Sequence, residues 1–497
     1  MSIFPELTAD EAAALFEDGM TVGLSAFTAA GAVKAVPRAL AARARERHAA
    51  GEAFRVRLLT GASTGPTIDD ALAEADAISW RAPFQSSAPL RRAINEQRTE
   101  FIDMHLSHLP QMIEAGFVPE LDVAVVEAVD VTRDGRVFLS TSVGASPSFL
   151  RHAKMVIVEL NAYHPPRVAE MHDIAVLPPP PRRNPIPISH AMARIGTPFA
   201  TVDPKKIVGV VRTDEPDEVS DFDPPATSSL QIAGHVADFL VREMRAGRVP
   251  DELLPLQAGV GNVSNAVMSA IGADDRLPPF CMFSEVFQDS LVPLMRAGQL
   301  TGASTTSLTV SNRVLREIYD DFDFFAPRIV MRPQELSNNP GLIRRLGVIA
   351  INTALEVDIY GNANSTHVCG TRLMNGIGGS GDFVRNAFLS ILVCPSIAKD
   401  GAISTVVPMV SHCDHTDHSV QVIVTEQGCA DLRGLGPRQR ARTIIDQCAH
   451  PMYRDYLHRY LEAAPMGHMP HDLGRCFELH RNLLEHGHML PGGGTST

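Results

Sequence analysis

Short, mostly apolar runs alternate with helix-like patterns along most of this chain. Residues 123–126 and 156–160 are two such runs in the first half, and residues 280–283 and 390–393 are two more in the second. A strand that is apolar on both faces has to be covered on both faces, which parallel sheets flanked by helices achieve. The pattern therefore predicts an α/β fold of two related open α/β domains, with largely parallel sheets flanked by helices.

The length of the chain and one change in composition predict where the domains divide. At 497 residues the chain is too long for one ordinary core, so more than one domain is expected. Residues 213–225 are acidic and rich in proline, and residues 228–245 follow with a helix-like pattern. We place the boundary in the acidic stretch, which predicts domains at residues 1–222 and 223–497.

Net charge, hydropathy and cysteine usage argue against several classes of protein. The formal net charge of −13 makes general binding to nucleic acid or to anionic membranes unexpected. No apolar run is long enough for a transmembrane helix, and the first residues lack the pattern of a secretory signal. The seven cysteines all follow residue 280 and form no Cys-x-x-Cys pair. These features predict reduced thiols in a cytoplasmic protein.

Glu285 is the first candidate for chemistry. It follows the apolar run at residues 280–283 and precedes a helix-like pattern that extends to Arg296. At the first turn of a helix, the macrodipole would favour the ionised carboxylate, which is the nucleophilic form. A glutamate at this position also caps a helix, and position alone favours that structural role.

Two glycine-rich loops lie in the same half of the chain. Residues 259–265 follow a strand pattern and open a helix pattern, with Ser264 where the third glycine of a dinucleotide fingerprint would stand. The free amides of such a loop can bind an anion or an oxyanion, although a tight strand-to-helix turn is the more common explanation of a single glycine pair. Residues 376–383 contain four glycines, which suits close approach of a ligand to the main chain. A flexible connection is the alternative.

Three other segments are less specific. Residues 411–418 contain three histidines, but a structural turn explains them better than a metal site, so no metal is predicted. Glu426 ends an apolar strand beside a glycine, as either an active-site acid or a turn residue. Residues 355–360 alternate between apolar and polar positions, which predicts a half-exposed strand.

The order of the segments along the chain resembles the acetyl-CoA hydrolase/transferase family, and more narrowly its succinyl-CoA:acetate CoA-transferases. The resemblance covers nearly the whole chain, and the Gly-Gly-Ser-Gly-Asp-Phe form at residues 378–383 is its most specific part. The segments that carry it are residues 101–108, 195–198, 259–265, 283–285, 337–340, 356–362, 375–383 and 425–428.

The resemblance implies a role for each candidate residue. Glu285 would form a glutamyl-CoA thioester, Gly379 would donate its amide to tetrahedral intermediates, and Glu426 would lie near the reacting carboxylate. Phe283, Ser284 and the pair Thr305-Thr306 depart from the residues expected there, which could alter acyl preference. The implied coenzyme A contacts are Val260, Gly261, Asn262, Val263, Ser264, Asn338, Asn375, Gly379 and Lys399.

The resemblance also implies an activity. An acyl-CoA, with succinyl-CoA as the expected donor, would pass coenzyme A to a small carboxylate such as acetate by a ping-pong mechanism. Hydrolysis of acetyl-CoA is the alternative, since water can attack the same intermediate. Coenzyme A would be a substrate, with no tightly bound cofactor and no metal. A homodimer, with the active site between the two domains of each chain, is the implied assembly.

Overall fold

Two large β-sheets, one in each half of the chain, organise the computed structural model of this protein. The structure describes residues 3–219, 224 and 226–490. Helices flank both sheets, which confirms the predicted α/β class. The boundary predicted between residues 222 and 223 lies outside the described residues and stays a prediction. Among the described residues, no helix combines the length and the apolar composition needed to cross a bilayer.

The first sheet has nine strands and is largely parallel. The strands Arg136–Leu139 and Ala200–Thr201 are its antiparallel part. Residues 123–128 are buried on both faces, as their apolar run predicts. The parallel strands, in spatial order, are Glu100–Phe101, Ile78–Ala82, Val56–Leu59, Thr21–Leu24, Val123–Val131, Met155–Asn161 and Ile207–Thr213.

The second sheet has eight strands, of which only the last is antiparallel to its neighbour. In spatial order they are Ile329–Met331, Leu300–Thr305, Phe280–Phe283, Leu256–Ala258, Ile349–Thr353, Leu389–Val393, Val422–Thr425 and Gly428–Asp431. The short strands outside the two sheets are Val286–Phe287 with Ser307–Leu308, Glu356–Asp358 with Ala363–Asn364 and Val406–Val407, His367–Val368 with Arg372–Leu373, and Ile397–Ala398 with Ile403–Ser404.

Helices connect most of the strands. The helix predicted at residues 228–245 is confirmed as Thr227–Arg245, which buries Ile232, Val236 and Leu240 on one face. The other α-helices of the described residues are Ala9–Ala13, Ala35–Ala49, Ala71–Glu74, Ala88–Asn95, His108–Glu114, Ser146–His152, Asn262–Ala273, Leu291–Arg296, Asn312–Asp320, Phe322–Phe325, Gln334–Ser337, Pro340–Leu346, Ser380–Asn386, Pro437–Cys448, Pro451–Ala463 and Glu478–His486. Shorter turns of 3₁₀ or π type are Pro66–Asp70, Pro166–Met171, Pro204–Lys206 and Ala326–Arg328.

Main-chain hydrogen bonds join the two halves of the chain. The Val143 amide donates to the Thr306 carbonyl, and the Leu308 amide donates to the Thr141 carbonyl, both at 2.9 Å. A buried ion pair between Arg332 and Asp173 crosses the same junction. The loops that follow the strands of both sheets are therefore held at fixed positions relative to one another.

A buried charge network stabilises the first half. The Glu159 carboxylate accepts hydrogen bonds from the amides at the start of the helix Ala35–Ala49, where an anion is favoured. Beside it, the Lys34 ammonium is 1% exposed and pairs with Glu127 and, at 3.0 Å, with Asp217. Burial opposes the charge, but the two carboxylates outweigh it and raise the pKa of Lys34 above its ordinary value. The network therefore holds Lys34 charged in the core.

The half-exposed strand predicted at residues 355–360 is wrong. The structure has a shorter strand, Glu356–Asp358, and all of it is buried. The Glu356 carboxylate accepts hydrogen bonds from the Ser411 amide at 2.8 Å and from His480 at 2.7 Å. These partners replace water around the polar side chain, so an alternating sequence pattern does not mean an exposed face here.

We expect Lys34→Met to lower the free energy of unfolding by about 3–5 kcal/mol, because it leaves two buried carboxylates without a cation. The measurement is urea unfolding followed by circular dichroism. Lys154→Met is the matched control, since Lys154 also pairs with two carboxylates, Glu120 and Asp122, but at the surface. The control should unfold at nearly the wild-type urea concentration. Equal effects of the two substitutions would contradict this account of Lys34.

Candidate active site

A cavity of about 770 Å³ lies at the carboxyl ends of strands from both sheets. Phe27, Ala62 and Phe84 line it, and each follows a parallel strand of the first sheet. Gly259 and Glu285 line it from the second sheet, again just after parallel strands. Ligands of open α/β sheets bind outside the carboxyl ends of the strands, so this cavity is the expected place for a site.

Glu285 lies in a bend between the strands Phe280–Phe283 and Val286–Phe287. Its carbonyl accepts a hydrogen bond from Thr305 Oγ1 at 2.6 Å and from the Thr306 amide at 2.8 Å. The Thr305-Thr306 pair, which departs from the expected family residues, therefore fixes the main chain of Glu285.

The predicted contact of Glu285 with a helix N-terminus is wrong. A short strand follows Glu285, and the next helix, Leu291–Arg296, begins six residues later. No helix macrodipole from its own segment therefore favours the ionised carboxylate. The sequence pattern did not predict the short strand Val286–Phe287, which lies between the apolar strand and the helix.

The Glu285 carboxylate is buried, with 6% of the residue exposed. Burial raises its pKa to about 7, and the nearby Asp382 carboxylate acts in the same direction. Asn338 Nδ2 donates to Glu285 Oε1 at 2.7 Å, which partly restores the ionised form. A carboxylate with this pKa is half ionised near neutral pH and is a stronger nucleophile than an exposed glutamate.

Gly379 touches this carboxylate. A Cβ atom at residue 379 would overlap Glu285 Oε1, so only glycine leaves room for the carboxylate there. Gly379 precedes the helix Ser380–Asn386, and the amides at the start of a helix have no intrahelical acceptor. Residues 376–380 all line the cavity. The loop therefore brings its main chain into contact with the Glu285 carboxylate, as the glycines predict.

The other glycine loop connects the strand Leu256–Ala258 to the helix Asn262–Ala273. Gly261 has a φ of 127°, a conformation that other residues rarely adopt. Of the predicted coenzyme A contacts in this loop, Val260 and Val263 line the cavity, as does the neighbouring Gly259, whereas Gly261, Asn262 and Ser264 are not among the residues that line it. The Ser264 hydroxyl is buried and has no hydrogen-bond partner among the described residues.

Three further predicted residues differ in their position relative to the cavity. Asn375 lines the cavity, and its side chain donates to the Ser365 and Gly376 carbonyls at 3.1 and 2.8 Å. Glu426 lies behind the cavity wall, where its carboxylate accepts a hydrogen bond from the Ser396 amide at 2.8 Å. Lys399 is exposed at the tip of a two-stranded hairpin and is not among the residues that line the cavity.

The environment of Glu426 favours its ionised form. Burial opposes ionisation, but hydrogen bonds from Ser396 and Gln427 outweigh it and lower the pKa of Glu426. Its neighbours Cys394 and Pro395 do line the cavity. The ionised Glu426 carboxylate therefore holds the segment next to Pro395, which lines the cavity, through its hydrogen bond from Ser396.

The histidine-rich segment at residues 411–418 forms turns. Within it, His415 Nε2 lies 3.1 Å from Ser380 Oγ, next to the glycine loop. Burial lowers the pKa of His415 to about 4, so this ring is neutral near pH 7. The segment thus supports the loop that carries Gly379.

Several residues near the site had no role in the sequence analysis. The Asp103 carboxylate accepts a hydrogen bond from the Ile377 amide, and the Asp382 carboxylate accepts two from Ser107. Burial raises the pKa of Asp382 to about 6. Asp103 and Ser107 both belong to residues 101–108, a segment that carried the resemblance without a chemical role. Only the pairing of the two halves reveals what that segment contacts.

Taken together, the geometry supports acyl chemistry at Glu285. A buried carboxylate of raised pKa lies against a glycine loop, inside a cavity partly lined by the apolar residues Phe27, Leu106 and Val286. A carboxylate nucleophile in such a cavity suits attack on a carbonyl carbon.

Comparison with known proteins gives two matches to protein families. Residues 4–212 match the acetyl-CoA hydrolase/transferase N-terminal domain, and residues 315–461 match the acetyl-CoA hydrolase/transferase C-terminal domain. Glu285 lies between the two matched ranges.

Full-length relatives are similar over nearly the whole chain. The propanoyl-CoA:succinate CoA transferase of Escherichia coli is 58% identical over 484 residues, which cover 97% of this chain and 98% of that protein. The succinyl-CoA:acetate CoA-transferase of Clostridium kluyveri is 46% identical, with 97% and 90% covered. The acetyl-CoA hydrolase of Schizosaccharomyces pombe is 42% identical, with 95% and 94% covered.

Solved structures share the fold. The crystal structure of RipA from Yersinia pestis is similar with a TM-score of 0.69 and 23% sequence identity, covering 92% of this chain and 96% of that one. At this identity the likeness concerns the fold, and it agrees with the two-sheet architecture described above.

We expect any reaction that uses Glu285 as a nucleophile to become faster as pH rises through about 7. Only the ionised carboxylate attacks, so kcat/KM should rise about tenfold per pH unit below that value and level off above it. Asn338→Ala should move the midpoint to higher pH, because it removes the hydrogen bond that favours ionisation. The measurement is kcat/KM between pH 5 and 9. A flat wild-type profile over this range would contradict the raised pKa.

Proposed function

Because this chain belongs to the acetyl-CoA hydrolase/transferase family, we propose that it transfers coenzyme A between an acyl-CoA and a small carboxylate through a glutamyl-CoA thioester on Glu285. The observation that carries the proposal is the contact between the buried Glu285 carboxylate and Gly379. A buried carboxylate in contact with a glycine loop at the end of a parallel strand is poorly explained by stability alone, since burial of a charge is unfavourable.

The first half of the reaction makes the thioester in two steps. A Glu285 carboxylate oxygen attacks the acyl carbonyl carbon, and the tetrahedral intermediate collapses by breaking the carbon–sulfur bond. This releases the coenzyme A thiolate and leaves an acyl-glutamyl anhydride. The thiolate then attacks the glutamyl carbonyl carbon, the anhydride carbon–oxygen bond breaks, and the free acid leaves. The second half runs these steps in reverse with a different carboxylate.

Negative charge is the main obstacle in this scheme. Each tetrahedral intermediate carries an oxyanion beside a thiolate or a carboxylate, and the lining of the cavity includes the carboxylates of Glu218 and Glu285. Main-chain amides at Gly379 and in the loop at residues 259–265 are the donors we assign to these oxyanions. Loss of one such donor typically costs about 3–4 kcal/mol of transition-state stabilisation.

The substrates we propose are short carboxylic acids and their coenzyme A thioesters. The donor and acceptor we favour are succinyl-CoA and acetate, which are the substrates named for the Clostridium kluyveri relative. Propionyl-CoA with succinate is the pair named for the Escherichia coli relative and fits the same chemistry. The apolar residues beside Glu285, which include Phe27, Phe84 and Val286, suit a short acyl chain.

Hydrolysis of acetyl-CoA is the second candidate function. It is the activity named for the Schizosaccharomyces pombe relative, and it needs only water in place of the acceptor acid. The chemistry requires neither a metal nor a tightly bound cofactor, so we propose coenzyme A as substrate alone. The seven cysteines lie within the described residues and are free. The homodimer and the cytoplasmic location stay predictions.

We expect Glu285→Ala to abolish transfer and to leave the protein folded. The substitution removes the nucleophile but also removes a buried ionisable group, so thermal unfolding should occur at the wild-type temperature or above it. The measurement is mass spectrometry of the intact protein and of its peptides, after rapid mixing with acyl-CoA and acid quenching. Wild-type protein should gain a coenzyme A adduct on the peptide that contains Glu285, and the variant should gain none. A wild-type kcat in the variant would contradict the covalent mechanism.

A panel of donors and acceptors separates transfer from hydrolysis. Succinyl-CoA, acetyl-CoA and propionyl-CoA are each incubated with and without acetate, propionate or succinate, and acyl-CoA products and free coenzyme A are quantified. We expect exchange between short acids to exceed release of free coenzyme A at least tenfold, because an acceptor acid bound beside Glu285 displaces water from the thioester. Release of free coenzyme A at the same rate with and without an acid would identify a hydrolase instead.

A further inference from the structure

We propose that Ser107 and Asp382 are a pair of positioning residues that hold the glycine loop at residues 376–381 so that Gly379 meets Glu285. The inference rests on the function proposed above. Ser107 comes from the first half of the chain and Asp382 from the second. Neither is among the residues that line the cavity. Their location therefore supports a positioning role and not direct contact with substrate.

The two residues form a buried, charge-assisted contact. Ser107 Oγ donates to Asp382 Oδ1 at 2.6 Å, and the Ser107 amide donates to Asp382 Oδ2 at 3.0 Å. Ser107 is 0% exposed and Asp382 is 2% exposed. Hydrogen bonds to an ionised acceptor are short and strong, and two of them to one carboxylate also fix its orientation.

Asp382 is connected to the reaction centre by the main chain. It is the third residue of the helix Ser380–Asn386, and its amide donates to the Gly379 carbonyl at 3.0 Å. The Phe383 amide donates to the same carbonyl, also at 3.0 Å. A displacement of Asp382 would therefore move Gly379 against the Glu285 carboxylate.

Ser107 is itself held in place by the helix that supports Asn338. Gln334 Nε2 donates to the Leu106 carbonyl at 2.7 Å, and Gln334 is fully buried. The helix Gln334–Ser337 leads directly to Asn338, whose side chain donates to Glu285. Two series of contacts therefore reach Glu285, one through Asn338 and one through Gly379. The hydrogen bonds between Ser107 and Asp382 join these two series.

The glycines of the loop leave the room that this packing requires. A Cβ atom at residue 381 would overlap the His105 ring, and one at residue 376 would come within 2.7 Å of Asp103 Oδ1. Asp103 also accepts a hydrogen bond from the Ile377 amide at 2.8 Å. Residues 103–107 are therefore in contact with the loop on both sides of Gly379.

The test uses single-turnover kinetics of adduct formation on the full chain. Acyl-CoA is mixed rapidly with enzyme, samples are quenched in acid, and intact mass gives the rate constant and the final amplitude of the coenzyme A adduct. The reaction is followed at pH 9, where Glu285 is ionised with or without the neighbouring Asp382 charge. We expect Ser107→Ala to lower the rate constant about tenfold and Asp382→Asn to lower it about a hundredfold. The final amplitude should stay within twofold of wild type. The acyl-CoA concentration that gives half of the maximal rate constant should also stay within twofold of wild type.

A matched control separates positioning from folding. Ser390 is also a buried serine, and its hydroxyl donates to the Ser419 carbonyl at 2.8 Å, away from the loop. Ser390→Ala should keep the wild-type rate constant. A purely structural role for Ser107 would lower the amplitude, because fewer molecules fold, and leave the rate constant of the remainder unchanged.

The outcomes distinguish this proposal from the one on which it rests. Wild-type rate constants in both Ser107→Ala and Asp382→Asn, with a wild-type adduct on Glu285, would overturn the positioning pair and leave the glutamyl-CoA scheme intact. A lower amplitude at an unchanged rate constant would overturn it as well. Absence of any adduct from the wild-type protein would overturn both proposals together.

Discussion

The contact between a buried carboxylate and a glycine is the constraint on which the rest of this site depends. Glu285 and Gly379 come from different segments of the second half, and a side chain on the glycine would occupy the position of the carboxylate. Burial raises the pKa of Glu285 to about 7, so the site keeps a nucleophile that is only partly ionised at neutral pH. The surroundings have to hold this unfavourable arrangement in place, because a buried charge would otherwise gain free energy by returning to water.

The two halves of the chain supply that support jointly. Both sheets direct the carboxyl ends of their parallel strands toward one cavity, which is where loops can meet without disturbing the sheets. Main-chain hydrogen bonds between residues 141–143 and 306–308 fix the halves against each other, and the Arg332–Asp173 ion pair is buried at the same junction. Neither half alone contains the nucleophile, its glycine loop and the segment that packs on that loop.

Local sequence patterns predicted some elements well and others poorly. The helix Thr227–Arg245 was predictable because its apolar residues repeat at helical spacing over several turns. The surroundings of Glu285 were not, because a two-residue strand between an apolar run and a helix leaves no periodic signal. The exposure predicted for residues 355–360 was wrong for a different reason. Polar residues of that strand find partners far away in the sequence, such as His480 for Glu356, and so remain buried.

The fold class and the family were predictable from the amino-acid sequence, as were the short segments that carry Glu285, Asn338 and the two glycine loops. Apolar periodicity and segment order are local properties, so they can be interpreted without coordinates. The sequence did not predict that Ser107 binds Asp382, that Lys399 lies at an exposed turn, or that the pKa of Glu285 is raised. These properties depend on which residues, distant in the chain, become neighbours in the fold. Those neighbours determine the burial and the hydrogen bonds of each side chain, and through them its pKa.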